Sequence, residues 1–228
     1  MINASPDLPQ QIEGTPSLQP GSDSLRNTPI SGVFLTNADL DHSLGLVLMR
    51  QQEKPPVVFA SDDTRAALRW IDLVLQPFGG IEWRTVASDF ESFSSSTAFR
   101  ALPLGNSLAF QFRDEISGAI ALLAPAVGEI TDELQAAIHQ AEAVFFDGTF
   151  WSNEELRTVR PGARTAREMN HLPISEGSLD LLRQAPARRK IYTHINNTNP
   201  ILSPDSPERK TVEQAGLEIG RDGLEITL

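Results

Sequence analysis

Short apolar runs rich in β-branched and aromatic residues alternate along this chain with longer amphipathic stretches. Each run ends at polar or turn-forming residues, as expected for strands of a layered α/β domain in which helices cover sheets. A polar turn at Glu115–Gly118 lies between two of the runs and predicts an antiparallel hairpin. The predicted strands are Gly32–Leu35, Val57–Phe59, Glu82–Val86, Leu108–Phe112, Ala119–Leu123, Ala143–Phe146, Lys190–Thr193 and Leu224–Leu228.

Hydroxyl and acidic residues mark where the amphipathic stretches begin as helices, because such side chains cap free backbone N–H groups. Ser61 and Thr131 are the clearest caps. Between residues 13 and 27 the chain is rich in Gly, Pro and Ser, which predicts an irregular segment. The predicted helices run from Ser61 through Leu75, from Thr131 with a stripe of Leu134, Ile138 and Ala141, and over Leu44–Met49, Ser175–Gln184 and Pro207–Ala215.

Length and composition fit one globular domain over residues 1–228, since 40% of the residues are hydrophobic and 21% are charged. No apolar run approaches the length of a membrane span. The absence of cysteine excludes disulfides, thiolate zinc sites and cysteine nucleophiles. The net charge of −11 disfavours nucleic acid and anionic membranes as partners. The opening residues lack a signal-peptide pattern, which predicts a cytoplasmic location.

Two of the four histidines follow predicted strands. His42 comes directly after Asp41 in the turn behind the first strand, and His194 follows Lys190–Thr193. Strand ends commonly carry functional side chains. Two imidazoles and one carboxylate leave open positions on a metal, as in non-haem iron(II) oxygenases and some zinc hydrolases. The pattern predicts a metal site of Asp41, His42 and His194, with ordinary structural roles as the alternative.

A second acidic and imidazole pair is formed by Asp147, which ends a predicted strand, and His171, which precedes a predicted helix. A carboxylate beside an imidazole fixes its tautomer and supports proton transfer. The alternative is that Asp147 caps a turn and His171 is an ordinary residue at a helix start. His139 lies off the apolar stripe of its helix and is predicted to be a surface residue.

Several long strings closely resemble the pyrroloquinoline quinone (PQQ) synthesis protein B family, in the right order and across essentially the whole chain. That family belongs to the metallo-β-lactamase superfamily, so the resemblance implies an αββα sandwich with a metal site at one edge. The strings are Thr36–His42, Asp147–Trp151, Arg167–Pro173 and His194–Leu202.

The resemblance also implies that half of a two-metal site is lost. The superfamily signature His-x-His-x-Asp-His places its leading histidines on Asn37 and Asp39, and its final pair on Asp41 and His42. The superfamily's bridging aspartate would fall near residues 124–126, where no carboxylate is present. Family members begin with about fifty more residues, including strands and a Cys-x-Cys-x-x-Cys zinc motif. By this resemblance, the chain is short at its N-terminus and lacks those strands and that zinc motif.

The function implied by the resemblance is a mononuclear oxygenase of PQQ biosynthesis. One divalent metal, expected to be iron(II) with zinc as the alternative, would act with dioxygen on the tyrosine of a peptide-derived Glu-Tyr precursor. Asp147 and His171 would handle protons, and a homodimer stays open. The competing functions are a one-zinc hydrolase and a carrier of PQQ or its precursor. The substrate-contact candidates are Asp39, Trp151, Asn196 and Asn197.

Overall fold

The computed structural model of the protein describes residues 1–21, 26–50 and 52–228. The chain divides into two compact units, Met1–Val86 and Ala87–Leu228. Each unit has its own sheet and its own cluster of buried apolar side chains. A single domain over residues 1–228 stays a prediction.

The first unit contains a three-stranded parallel sheet in the order β1-β2-β3. Its strands are β1 Val33–Phe34, β2 Val57–Ala60 and β3 Glu82–Thr85. Ile2 extends this sheet by one isolated parallel bridge to Phe34. Its helices are α1 Leu8–Gly14, α2 Leu40–Ser43, α3 Asp62–Ala67 and α4 Arg69–Leu75, with short 3-10 turns at Pro16–Leu18, Leu44–Met49 and Gln76–Phe78.

The helix predicted to run from Ser61 through Leu75 is divided into α3 and α4. Ser61 caps α3 as expected, because its hydroxyl oxygen accepts the backbone N–H of Thr64 at 3.1 Å. Leu68 leaves the helical conformation between the two helices, with φ −94° and ψ 13°. Its side chain is buried in the core with Ile71 and Leu75. The break therefore lies where an apolar residue is buried at a bend in the chain.

The second unit contains a seven-stranded sheet in the order β10-β9-β8-β7-β6-β5-β4. Strands β4 to β7 pair antiparallel, and β7 to β10 pair parallel. The strands are β4 Glu91–Ser92, β5 Thr97–Leu104, β6 Ser107–Asp114, β7 Ile120–Ala124, β8 Ala143–Asp147, β9 Arg189–Thr193 and β10 Glu218–Ile219. The helices are α5 Asp132–Gln140, α6 Glu155–Val159, α7 Ser178–Gln184 and α8 Pro207–Gln214, with 3-10 turns at Arg167–Met169, Ile174–Glu176 and Pro200–Leu202.

The predicted hairpin at Glu115–Gly118 is confirmed, since β6 and β7 pair antiparallel on either side of it. The strand predicted at Leu224–Leu228 is wrong: that segment is irregular, and the pairing with β9 is made by β10 instead. Strand β5 was not predicted, because Pro103 and the Gly105-Asn106 pair suggest a loop. The segment over residues 13–27 is partly helical at its start, and residues 22–25 of it lie outside the described residues.

Strands β8 and β9 contribute several buried side chains to the core of the second unit. Val144, Phe146 and Tyr192 belong to its buried cluster, as do Leu134 and Ile138 of the stripe predicted for α5. His139 on the same helix is exposed, as predicted. These contacts hold the two strands in the core, and Asp147 and His194 lie at their carboxyl ends. In the part of the chain that the structure describes, no helix is long and apolar enough to cross a membrane.

Candidate metal centre

In the first unit, the predicted metal ligands Asp41 and His42 lie on the short helix α2. His42 is buried, with 3% of its side chain exposed, whereas the neighbouring Asp41 is 62% exposed. The ring Nδ1 of His42 lies 2.9 Å from the hydroxyl oxygen of Thr36. That hydroxyl lies 3.1 Å from the side-chain oxygen of Asn3, which also accepts the backbone N–H of Thr36 at 2.9 Å. An imidazole, a hydroxyl and an amide oxygen therefore form one chain.

The direction of these hydrogen bonds is set by the amide oxygen of Asn3, which can only accept. An amide oxygen cannot donate, so the hydroxyl of Thr36 donates to Asn3, and Nδ1–H of His42 donates to the hydroxyl. The lone pair then resides on Nε2, which lies 3.9 Å from Oδ2 of Asp41. Two ligand atoms that each lie about 2.1 Å from one ion can be this far apart. The geometry therefore suits a cation held between Asp41 and His42.

The N-terminal segment packs against helix α2 through backbone hydrogen bonds. The backbone N–H of Ala4 donates to the carbonyl oxygen of His42 at 2.7 Å, and the N–H of Gly45 donates to the carbonyl oxygen of Ala4 at 2.8 Å. A Cβ on Gly45 would collide with the carbonyl oxygens of Ala4 and Ser5. Close backbone approach therefore requires glycine here. These hydrogen bonds hold the backbone of His42 against the N-terminal segment.

In the second unit, Asp147 at the end of β8 is fully buried. Its Oδ2 accepts the backbone N–H of Val127 at 2.8 Å and lies 2.7 Å from Nδ1 of His171. Its Oδ1 accepts the backbone N–H of Thr149 at 3.0 Å and the hydroxyl of Thr149 at 2.6 Å. Both oxygens are thus occupied by donors, and the predicted pairing of Asp147 with His171 is present.

His194 lies beside this pair, directly after β9. Its backbone φ of 56° is in the left-handed region, which is uncommon for a residue other than glycine. The hydroxyl oxygen of Thr149 lies 2.7 Å from Nδ1 of His194, and the rings of His171 and His194 stack with centroids 5.6 Å apart. The backbone N–H of Gly148 donates to the carbonyl oxygen of Thr193 at 2.8 Å. These contacts hold an unfavourable backbone conformation in place.

Asp147, His171 and His194 could themselves be considered as metal ligands, because one ligand atom from each lies within 4.8 Å of the others. Asp147 argues against this. A metal on either of its oxygens would displace donors that it already binds inside a fully buried environment. We therefore interpret Asp147 as a group that orients imidazoles. The predicted ligand set takes Asp41 and His42 from the first unit and His194 from the second, and it stays a prediction.

The positions of the two leading superfamily histidines are occupied by Asn37 and Asp39, which bind each other. The side-chain amide of Asn37 donates to Oδ2 of Asp39 at 2.9 Å, and the backbone N–H of Asp39 donates to Oδ1 of Asn37 at 3.0 Å. Asn37 is buried and Asp39 is exposed. This arrangement stabilises the turn before α2. The role of Asp39 as a substrate contact stays a prediction.

The other substrate candidates differ in how much of them is available. Trp151 is half-buried and packs against the core of the second unit, so only part of its indole can contact a ligand. The amide of Asn196 donates to the hydroxyl of Thr198 at 2.8 Å, whereas Asn197 is exposed. The adjacent Asn199 is buried and donates to the carbonyl oxygen of Gly148 at 2.8 Å. Asn197 is the most available of these amides.

Sequence reasoning missed Glu155, which lies beneath this loop. Its carboxylate accepts the backbone N–H of Trp151 and the hydroxyl of Thr198, both at 2.6 Å. Burial of the group raises the pKa of Glu155, and only 7% of the residue is exposed. A glutamate at a helix start is common on protein surfaces, so no pattern in the sequence distinguishes it. Only the structure shows that the carboxylate of Glu155 links the backbone of Trp151 to the side chain of Thr198.

Comparison with known proteins assigns the class of this fold. Residues 1–195 match the sequence profile of the Beta-lactamase superfamily domain. The crystal structure of Zn(2+)-bound PqqB from Methylobacterium extorquens superimposes with a TM-score of 0.89 at 29% identity, covering 100% of this chain and 81% of that one. The α/β fold predicted from the sequence is thus confirmed as a metallo-β-lactamase fold.

Curated relatives narrow the class to one family. The chain is 34% identical to coenzyme PQQ synthesis protein B of Cupriavidus taiwanensis, covering 100% of this chain and 83% of the relative. It is 36% identical to coenzyme PQQ synthesis protein B of Bradyrhizobium diazoefficiens, with the same coverage. The chain belongs to the PQQ synthesis protein B family. Its carboxylate and imidazole donors suit a divalent metal.

Proposed function

We propose that this protein is a metal-dependent oxygenase of PQQ biosynthesis, which hydroxylates the tyrosine ring of a peptide-derived Glu-Tyr precursor. The observation that carries the proposal is the exchange of the leading histidine pair for Asn37 and Asp39, which bind each other in the turn before α2. A binuclear hydrolase needs the imidazoles that are lost there. What remains is a one-metal donor set with open positions.

Asp41, His42 and His194 would hold the metal in this proposal. Two imidazoles and a carboxylate are the ligands that non-haem iron(II) oxygenases use, and they leave positions for a substrate and dioxygen. Iron(II), when bound, would supply the redox chemistry that zinc lacks. The exposure of Asp41 beside a buried His42 supports open metal positions on the solvent side, where a peptide-derived substrate can arrive.

Asp147 and His171 would handle protons during the reaction. The carboxylate of Asp147 holds Nδ1 of His171 at 2.7 Å, which orients the ring and leaves Nε2 as the atom that exchanges a proton. Hydroxylation of a phenol benefits from a base near the ring hydroxyl. Stacking of the His171 ring on His194 keeps this base beside a predicted metal ligand.

The substrate would be held by Asp39, the accessible part of Trp151, Asn196 and Asn197. An amino group of a peptide-derived substrate suits the exposed carboxylate of Asp39, and amides suit its carboxylates. The planar ring suits the indole edge. These contacts are consistent with a substrate that carries both charges of an amino acid.

The test is an oxygen-dependent assay of iron-loaded protein with a Glu-Tyr cross-linked precursor. Ascorbate serves as the reductant, because insertion of one oxygen atom leaves the other to be reduced to water. We expect oxygen uptake and a product heavier by one oxygen atom, both abolished in His194→Ala. Iron-loaded protein that consumes no oxygen and forms no hydroxylated product contradicts the proposal.

A one-zinc hydrolase is the second candidate, and one observation favours it: the PqqB of Methylobacterium extorquens was crystallised with Zn(2+). A zinc-bound water can attack an ester or phosphodiester. Turnover of a phosphodiester by zinc-loaded protein, lost in Asp41→Ala, would establish it. Tight binding of PQQ without oxygen uptake would instead favour a carrier.

A further inference from the structure

The hydroxyl of Thr149 has three polar neighbours and a single proton to share. Its oxygen lies 2.6 Å from Oδ1 of Asp147, 2.7 Å from Nδ1 of His194 and 3.0 Å from the carbonyl oxygen of His194. The carboxylate and the carbonyl can only accept. The shortest contact is to the charged carboxylate, and such hydrogen bonds are the strongest of the three kinds. The hydroxyl of Thr149 therefore donates its hydrogen bond to Asp147.

This assignment fixes the tautomer of His194. If the hydroxyl donates to Asp147, then Nδ1 must carry the hydrogen and donate it to the oxygen of Thr149. Nε2 of His194 is left with the lone pair. The exposed fraction of Thr149 is 7%, so water competes weakly for these bonds.

The same arrangement recurs at His42 in the other unit. There the hydroxyl of Thr36 lies 2.9 Å from Nδ1 and donates onward to the side-chain oxygen of Asn3 at 3.1 Å. Thr36 is fully buried. Two imidazoles from separate parts of the chain thus each bind a threonine hydroxyl through Nδ1. Each threonine hydroxyl in turn donates a hydrogen bond to an oxygen that can only accept.

We propose that Thr149 and Thr36 are positioning residues that lock His194 and His42 in the Nδ1–H tautomer, so that Nε2 of each ring is the metal-binding atom. The metal half of this inference rests on the proposed function. The tautomer half concerns the metal-free protein and does not. Loss of such an orienting partner typically weakens metal binding by about 10- to 100-fold.

Thr149→Val and Thr149→Ser separate positioning from packing. Valine keeps the branched shape of the side chain and removes the hydroxyl, whereas serine keeps the hydroxyl. In Thr149→Val we expect His194 to populate the Nε2–H tautomer and Co²⁺ affinity to fall about 10- to 100-fold. In Thr149→Ser we expect the parent tautomer and an affinity within a few-fold of the parent. Thr36→Val and Thr36→Ser should act on His42 in the same way.

The measurement is two-bond ¹H–¹⁵N correlation of ¹⁵N-histidine-labelled, metal-free protein at about pH 9, where free imidazoles are neutral. Single histidine variants assign the four rings, and a Co²⁺ titration of the same samples gives affinity. An Nε2–H tautomer for His194 in the parent overturns the inference. So does a Thr149→Val variant that changes neither the tautomer nor the affinity, or changes the tautomer alone.

The fold of each variant is checked by the dispersion of its amide spectrum, and Thr149→Ser provides the rescue if valine disturbs the turn. A serine variant that also loses the tautomer would overturn the role assigned to the hydroxyl. A parent that binds no metal contradicts the proposed function instead, because its tautomers are read without any metal present.

Discussion

Asp147 orders its surroundings by accepting hydrogen bonds at both oxygens from Val127, Thr149 and His171. An asparagine at this position replaces one carboxylate oxygen by an NH2 group, which cannot accept and must face at least one of these donors. In Asp147→Asn we therefore expect His171 to lose its orienting partner and turnover to fall by about 10²-fold or more, while the metal content stays at the parent value. Hydroxylation assays paired with metal analysis measure both quantities.

The matched control is Asp114→Asn. Asp114 also accepts several hydrogen bonds in a turn, from Ile116 and from the backbone and hydroxyl of Ser117, but it is not part of the candidate site. Its variant should retain turnover. If Asp147→Asn instead loses the metal, Asp147 acts on the metal site itself, as a ligand or through Thr149 and His194, and its role is not confined to orienting His171.

Glu155 gives a prediction about stability and pH. Burial raises the pKa of Glu155 above its ordinary value of 4.5, so the folded state favours the protonated form. Its contribution is fully present below about pH 4.5 and is lost as pH rises through the raised pKa. The free energy of unfolding of the parent, minus that of Glu155→Gln, should therefore fall with rising pH across this range. Chemical denaturation of both proteins at matched pH measures the difference, and a difference that rises with pH contradicts the assignment.

The residues that could be predicted are those whose chemistry is visible in the sequence alone. Asp147 and His171 were predicted because an acid and an imidazole follow or precede regular elements, and the structure brings them to 2.7 Å. Thr36, Thr149 and Asn3 could not be predicted in this way. Hydroxyl and amide groups are common in turns, and their partners are chosen by how distant segments close on one another.

The contact between the N-terminal segment and the chain after α2 gives a prediction at the scale of elements. A Cβ on Gly45 would collide with the backbone of Ala4 and Ser5, which cannot move as a flexible side chain would. Gly45→Ala should lower the free energy of unfolding by about 1–3 kcal/mol. It should also weaken metal binding, because the same backbone contact holds His42.

Gly14→Ala is the control for this substitution. A Cβ on Gly14 would meet no atom within 4 Å, so the change should leave stability equal or slightly higher through the unfolded chain. Denaturant titration followed by fluorescence compares the two variants with the parent. Equal stability of Gly45→Ala and the parent would show that the N-terminal segment does not constrain this position.

Regular elements were predictable where local pattern and burial agree. Strands β8 and β9 and the helix capped by Thr131 appear close to the predicted positions, since apolar runs and caps are local signals. The segment at Leu224–Leu228 has the alternation of a strand but belongs to no sheet, because pairing depends on a neighbour and not on pattern. Strand β5 is the opposite case: its sequence has turn signals around Pro103, but it forms a strand because it pairs with β6.

At the scale of the whole molecule, the proposed metal ligands lie far apart in sequence. Asp41 and His42 belong to the unit Met1–Val86 and His194 to the unit Ala87–Leu228. The position of His42 and His194 directly after predicted strands suggested this combination. The ordered strings shared with the PQQ synthesis protein B family imply the same three ligands. The central claim is that these three residues hold one metal ion.

Metal analysis of purified protein after anaerobic iron(II) loading tests this claim most directly, with the exposed His139→Ala as the matched control. We predict one iron per chain in the parent and in His139→Ala, and a loss of at least about tenfold in iron affinity in Asp41→Ala, His42→Ala and His194→Ala. Retention of parent affinity by His194→Ala, or two ions per chain in the parent, would contradict it.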